Sequence, residues 1–173
     1  MPVLAEALCD GSLRAVGIAL PPLLAYLGAV SRDLSKSVII ILLRGGHVCL
    51  SQRAPAERMG GQYSLPGGGV DEGEASWVEA AQREVKEETG LNIPSQRFLQ
   101  LEWLSSTGED WQPVGGLFYV VELLPGEEPT LSAEEAVCLG PWKWFTFAEA
   151  CALPLTPICR TLLYLLARGQ LSP

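Results

Sequence analysis

Residues 65–91 read Leu-Pro-Gly-Gly-Gly-Val-Asp-Glu-Gly-Glu-Ala-Ser-Trp-Val-Glu-Ala-Ala-Gln-Arg-Glu-Val-Lys-Glu-Glu-Thr-Gly-Leu, a Gly-rich loop that runs straight into a helix. In that helix Glu84, Glu87 and Glu88 fall at i, i+3 and i+4 and share one face. Like charges so placed repel, so helix stability does not account for the grouping. A hard divalent cation, which prefers oxygen ligands, does, and it would then grip a phosphate. A lone Glu-x-x-Glu-Glu is more often a solvated face. Here the neighbours argue otherwise. Arg83 adjoins the cluster and can pin one carboxylate bidentately. Gly90 supplies a left-handed cap, and Gly67, Gly68 and Gly69 let the backbone approach a ligand closely.

The segment resembles the Nudix box, G-x5-E-x7-R-E-U-x-E-E-x-G-U with U aliphatic, through Gly68, Glu74, Arg83, Glu84, Val85, Glu87, Glu88, Gly90 and Leu91. It departs once: eight residues rather than seven separate Glu74 from Arg83. Ser76-Trp77-Val78-Glu79 reads as a capping box, which places the surplus residue, Ala75, in the loop and leaves the helix register intact. The resemblance implies an α/β fold, an α/β/α sandwich with a mixed sheet between helices. It implies Mg²⁺, with Mn²⁺ as a substitute, held by Glu84, Glu87, Glu88 and the Gly68 carbonyl. It also implies catalysis by Glu87, Glu88, Glu84 and Arg83, with the role of Glu74 left open by the insertion.

Composition agrees with one enzyme-sized domain. The 173 residues are 48% apolar and carry a net charge of −8. A general nucleic-acid binder would show a basic stripe, so a small metal-chelated nucleotide is the expected partner rather than long nucleic acid. The five cysteines are odd in number and form no C-x-x-C pair, which suggests reduced thiols and a cytoplasmic setting. His47 is the only histidine and makes a poor basis for a zinc site or a catalytic triad.

Residues 1–35 stand apart. Val16 to Val30 is strongly apolar but is broken by Pro21-Pro22. The run lacks the basic start of a signal peptide and is short for a membrane span. A helix packed on the domain or on a second copy is expected, so a homodimer is a possibility. The domain proper is expected over 36–173. Strands are expected at Ser37–Leu43, His47–Arg53, Gln62–Leu65, Arg97–Ser105, Gly116–Leu124 and Leu139–Phe145, with helices at Phe147–Cys151 and Thr156–Ala167.

Further candidates lie outside the box. Arg53 ends a Ser-Gln-Arg similar to the MutT-type arrangement, where the matching Arg meets phosphate; a plain surface Arg is equally compatible. Tyr63 precedes the Gly run where family members often carry an aromatic, and core packing explains it as well. Trp103 and Trp111 flank a Ser/Gly-rich loop and suit either base stacking or packing. In Glu134-Glu135, Glu135 matches a late-loop acidic position that assists metal or water in relatives, and a solvated acidic turn is the alternative. Trp142-x-Trp144 is expected in the core. The marks of ADP-ribose, dinucleoside polyphosphate and NADH hydrolases are missing, so the chain looks MutT-like. The implied reaction converts a nucleoside triphosphate, oxidised or not, to the monophosphate and pyrophosphate. Another Nudix substrate, such as ADP-ribose, a dinucleoside polyphosphate or a nucleotide sugar, or a non-catalytic nucleotide-sensing or protein-binding module, is the alternative.

Overall fold

Val38, Ile40, Ile41 and Leu42 have no exposed surface, so the first strand is apolar on both faces. Such a run belongs at the centre of a sheet covered on each side. The computed structural model describes residues 35–107 and 113–168, with backbone only at 35, 102–107 and 113–115. The expected N-terminal helix and Trp111 lie outside the described residues. Among the described residues, no helix is long and apolar enough to cross a membrane.

The strands are β1 (Ser35–Arg44), β2 (His47–Gln52), β3 (Tyr63–Ser64), β4 (Gly67–Gly69), β5 (Leu99–Thr107), β6 (Pro113–Glu122) and β7 (Lys143–Thr146). The helices are α1 (Trp77–Thr89), α2 (Phe147–Ala152) and α3 (Pro157–Ala167). The sheet runs β3-β2-β1-β6-β5, with β4 paired to β1 and β7 to β2. β1 and β6 are parallel from Ser35↔Val114 to Leu43↔Glu122, and every other pairing is antiparallel, so the sheet is mixed.

The alternation of β1 sorts the core into two layers. Val38, Ile40 and Leu42 join Ala80, Ala81 and Val85 of α1. Ile41 faces the other way and joins Phe118, Cys159, Leu162 and Leu163, under α2 and α3. The expected α/β/α sandwich is the fold observed.

Three expectations change in detail. The Gly run forms β4, a strand the sequence reading left as loop. β1 offers Ser37–Ile39 to β4 and only Leu43 and Arg44 to β2, so the glycine backbone fills the edge that the hairpin leaves. The last strand begins at Lys143 rather than Leu139, because Leu139 makes only an isolated bridge to Arg53 before Pro141 interrupts the ladder. The cysteines are not uniformly core: Cys49 and Cys159 are buried, Cys138 is half-buried and Cys151 is exposed.

Candidate active site

α1 starts at Ser76, whose hydroxyl accepts from the Glu79 N–H at 3.3 Å. The Glu79 carboxylate accepts from the Ala75 N–H at 2.9 Å instead of from Ser76, so the expected capping box closes one residue early. Ala75 is in the loop, as expected. Gly90 ends the helix at φ 69°, its N–H donating to the Lys86 carbonyl.

The glycine strand sits over the carboxylate face of α1. Gly67 has φ 148°, and a Cβ there would lie 2.2 Å from the Val38 carbonyl oxygen. A Cβ on Gly68 would lie 2.4 Å from Glu84 Oε1. The glycines therefore serve the close approach of β4 to β1 and to Glu84. The Gly67 N–H donates to Glu88 Oε2 at 3.0 Å.

Arg83 organises the rest. Its Nε donates to Glu74 Oε1 at 3.0 Å, and its Nη1 to Glu84 Oε1 at 2.8 Å and to Glu87 Oε2 at 3.0 Å. Its Nη2 donates to the Gly69 carbonyl at 2.7 Å. The expected bidentate grip on one carboxylate is replaced by a fan across three, because Glu74 meets Nε while Glu84 and Glu87 share Nη1. The extra residue does not unseat Glu74. It reaches Arg83 while also accepting from the Asp71 N–H at 2.7 Å, and the Arg83 hydrogen bond holds its carboxyl below the usual range.

The three box carboxylates have different surroundings. Glu84 is 8% exposed, and burial raises its carboxyl against the pull of Arg83. The Glu87 side chain is 52% exposed. Glu88 has no ion pair among the described residues, and burial pushes its carboxyl up to about 8, with the charges of Glu84 and Glu135 adding to the rise. They share the face but do not converge: among the described residues, no three His, Cys, Asp or Glu groups are gathered as a metal-ligand set. The donor chemistry nonetheless fits a hard cation. It consists entirely of carboxylate and backbone oxygens, and Glu88 forms no salt bridge among the described residues.

A cavity of about 330 Å³ is lined by residues that include Gln52, Arg53, Tyr63, Gly140, Pro141 and Lys143, and none of the box carboxylates lines it. Arg53 follows β2 directly, with Nε donating to the Arg58 carbonyl at 2.7 Å and Nη2 3.8 Å from Glu57. Its charge acts on Glu88, which links the cavity to the carboxylates. Tyr63 both lines the cavity and packs edge-on against Phe145 at 5.6 Å, so the two readings of it coexist. Glu135 lies in a short 3₁₀ turn, half-buried and within electrostatic reach of Glu88. Trp103 is placed on β5 opposite Leu117. His47 is exposed and pairs with the Gly45 carbonyl, away from the site.

Sequence reasoning missed Gln52, Lys143 and Trp142. The first two were marked only by their place beside Arg53 and between two tryptophans. Trp142 was assigned to packing, which it does, but its indole N–H also donates to the Glu88 carbonyl at 2.8 Å.

Comparison with known proteins agrees with this architecture. Nudix hydrolase 10 of Arabidopsis thaliana is 34% identical over 100 residues, which cover 56% of this chain and 32% of that protein. The chain thus spans about a third of the length of this relative. The crystal structure of a MutT NUDIX hydrolase from Burkholderia pseudomallei superposes with a TM-score of 0.65 at 23% identity, covering 77% of this chain and 98% of that one. The NUDIX domain of Shewanella oneidensis NrtR, solved with ADP ribose, gives 0.65 at 21% identity, covering 86% and 97%. The NUDIX domain model matches residues 33–166, and the chain belongs to that family.

Proposed function

We propose that this chain hydrolyses a phosphoanhydride in a nucleoside diphosphate-linked substrate. The leading candidate is a nucleoside triphosphate, oxidised or not, converted to monophosphate and pyrophosphate. The observation that carries the reading is the stack of Gly67–Gly69 on Glu84 and Glu88, with Arg83 tying Gly69, Glu74, Glu84 and Glu87 together. Glu84, Glu87, Glu88 and the Gly68 carbonyl would hold Mg²⁺, or Mn²⁺ in its place. When bound, the ion supplies charge neutralisation for the phosphates.

The chain's own groups do the rest. Arg83 keeps Glu74 and Glu84 in place and leaves exposed Glu87 in a surface pair worth about 0–1 kcal/mol, so Glu87 is free to turn to a ligand. Glu88 Oε2 is occupied by the Gly67 N–H, which leaves Oε1, in the ionised carboxylate, to accept a proton from the attacking water. Glu135 acts on the same space and is the second group able to hold that proton. Arg53 and Lys143 line the cavity and suit the charge of a polyphosphate, while Tyr63 and Pro141 offer surface for a base. The free thiols suit a reducing, cytoplasmic setting.

The test is a panel of nucleoside triphosphates, ADP-ribose and diadenosine polyphosphates, assayed for products with Mg²⁺ and with Mn²⁺. Triphosphates should lead, with pyrophosphate as a product. A lead by ADP-ribose or a dinucleoside polyphosphate overturns the MutT-like substrate. Binding without turnover of any compound points instead to a sensing module.

A further inference from the structure

An α-helix leaves its last carbonyls without partners inside the helix. In α1 the Gly90 N–H closes on Lys86, and the Thr130 N–H donates to the Thr89 carbonyl at 2.8 Å. The Glu88 carbonyl is taken by the indole N–H of Trp142 at 2.8 Å. Glu88 is therefore held at two points by two separate segments: its main chain by Trp142 and its side chain by Gly67.

Trp142 is itself firmly placed. It packs against the core layer that contains Ala80, Ala81 and Val85. The residues before it are tied to β2, since the Gly140 N–H donates to the Gln52 carbonyl at 2.8 Å and Ser51 Oγ donates to the Gly140 carbonyl at 2.7 Å. Residues on both sides of it, Pro141 and Lys143, line the cavity. Trp142 thus joins the cavity wall to the end of the helix that carries the carboxylates.

We propose that Trp142 is a positioning residue: its indole N–H fixes the last turn of α1 so that Glu87 and Glu88 present their carboxylates to a divalent cation. This rests on the metal-dependent reading above. Helix ends fray, and without this hydrogen bond the main chain of the turn carrying Glu87 and Glu88 is tied to the rest of the fold through Thr89, with Glu88 held only by its side chain's bond to Gly67. Carboxylates that share an ion must be held to within about 0.5 Å, so fraying weakens the site before it unfolds the domain.

Trp142→Phe removes the donor and keeps an aromatic ring. The dissociation constant for Mn²⁺, read by electron paramagnetic resonance on the nucleotide-free protein, should rise about tenfold, the usual size of effect when a supporting partner of a ligand is removed. Amide exchange at Thr89 to Leu91 should accelerate, and kcat should fall while KM for the nucleotide stays within about twofold. Trp144→Phe, which alters the other tryptophan of the pair, should leave Mn²⁺ binding unchanged. If the Phe variant folds poorly, benzothienylalanine at position 142 replaces the N–H by sulfur and keeps the bicyclic shape. A folded variant that binds Mn²⁺ as tightly as wild type, or an equal loss in Trp144→Phe, overturns the positioning role alone. A wild-type protein that binds no Mn²⁺ overturns the metal reading and this inference with it.

Discussion

Glu87 and Glu88 are neighbours with opposite environments, and substitutions should separate them. Glu87→Gln removes a charged oxygen ligand from an exposed position while keeping size and helix propensity. Activity should fall at least a hundredfold, a loss on the scale known for essential catalytic groups, with the circular dichroism spectrum unchanged. Retention of more than about a tenth of wild-type kcat at saturating Mg²⁺ removes Glu87 from the mechanism. Glu88 should reveal itself through pH. Its folded carboxyl is raised from 4.5 to about 8, so the fold favours the protonated form. That stabilisation is fully present below the unfolded value and is lost as pH rises through the folded one. In EDTA the melting temperature should therefore decline between about pH 4.5 and 8, and Glu88→Gln should flatten the decline. Glu84, raised in the same direction, leaves part of the slope in the variant. A wild-type melting temperature that climbs across that window contradicts the assignment.

At the scale of elements, the β4–β1 pairing and the loop before α1 behave differently. Gly67→Ala places a Cβ 2.2 Å from a main-chain oxygen of β1 at φ 148°, where neither backbone can yield cheaply. The variant should lose more than about 3 kcal/mol in denaturant unfolding, or fail to fold. Deletion of Ala75, in contrast, falls in loop that tolerates change. The protein should still fold, with activity within about tenfold of wild type, because the Arg83 fan and the Ser76 cap lie outside the deleted residue. A melted deletion variant would mean that the eight-residue spacing is needed to bring Glu74 to Arg83. These elements also show how far sequence reading extends. Helix α1 was legible from cap to cap, because Ser76, the glutamate spacing and Gly90 are local signals. β4 was not, since three glycines have no alternation to read and their strand character comes from β1 alone. The fan of Arg83 was hidden for a similar reason: sequence gives its neighbours on the helix but not the approach of Glu74 across the loop.

For the molecule as a whole, the sandwich was legible from the order of the expected strands and helices and from what the resemblance of residues 65–91 implies. The cavity was not, since Gln52, Gly140 and Lys143 meet only when β2 and β7 pair. Arg53 stands at that meeting point. Arg53→Ala should mainly raise KM for a nucleoside triphosphate, with kcat changed by less than about threefold, because a phosphate contact made in the ground state persists in the transition state. A kcat loss at unchanged KM in steady-state kinetics would instead assign Arg53 to the chemical step.

The parallel pairing of β1 with β6 has a consequence for how the protein is made. Val38 meets Leu117 and Ile41 meets Val120, partners about eighty residues apart in the chain. Contacts this distant carry a loop-closure cost that slows folding. On the ribosome, β1, the glycine strand and α1 all emerge before the strand that flanks β1 on its other side exists. A nascent chain stalled before residue 113 holds every residue from Arg53 to Gly90 yet lacks half the support of its central strand. It should be cut readily by a protease, and a chain stalled after α3 has left the exit tunnel should resist.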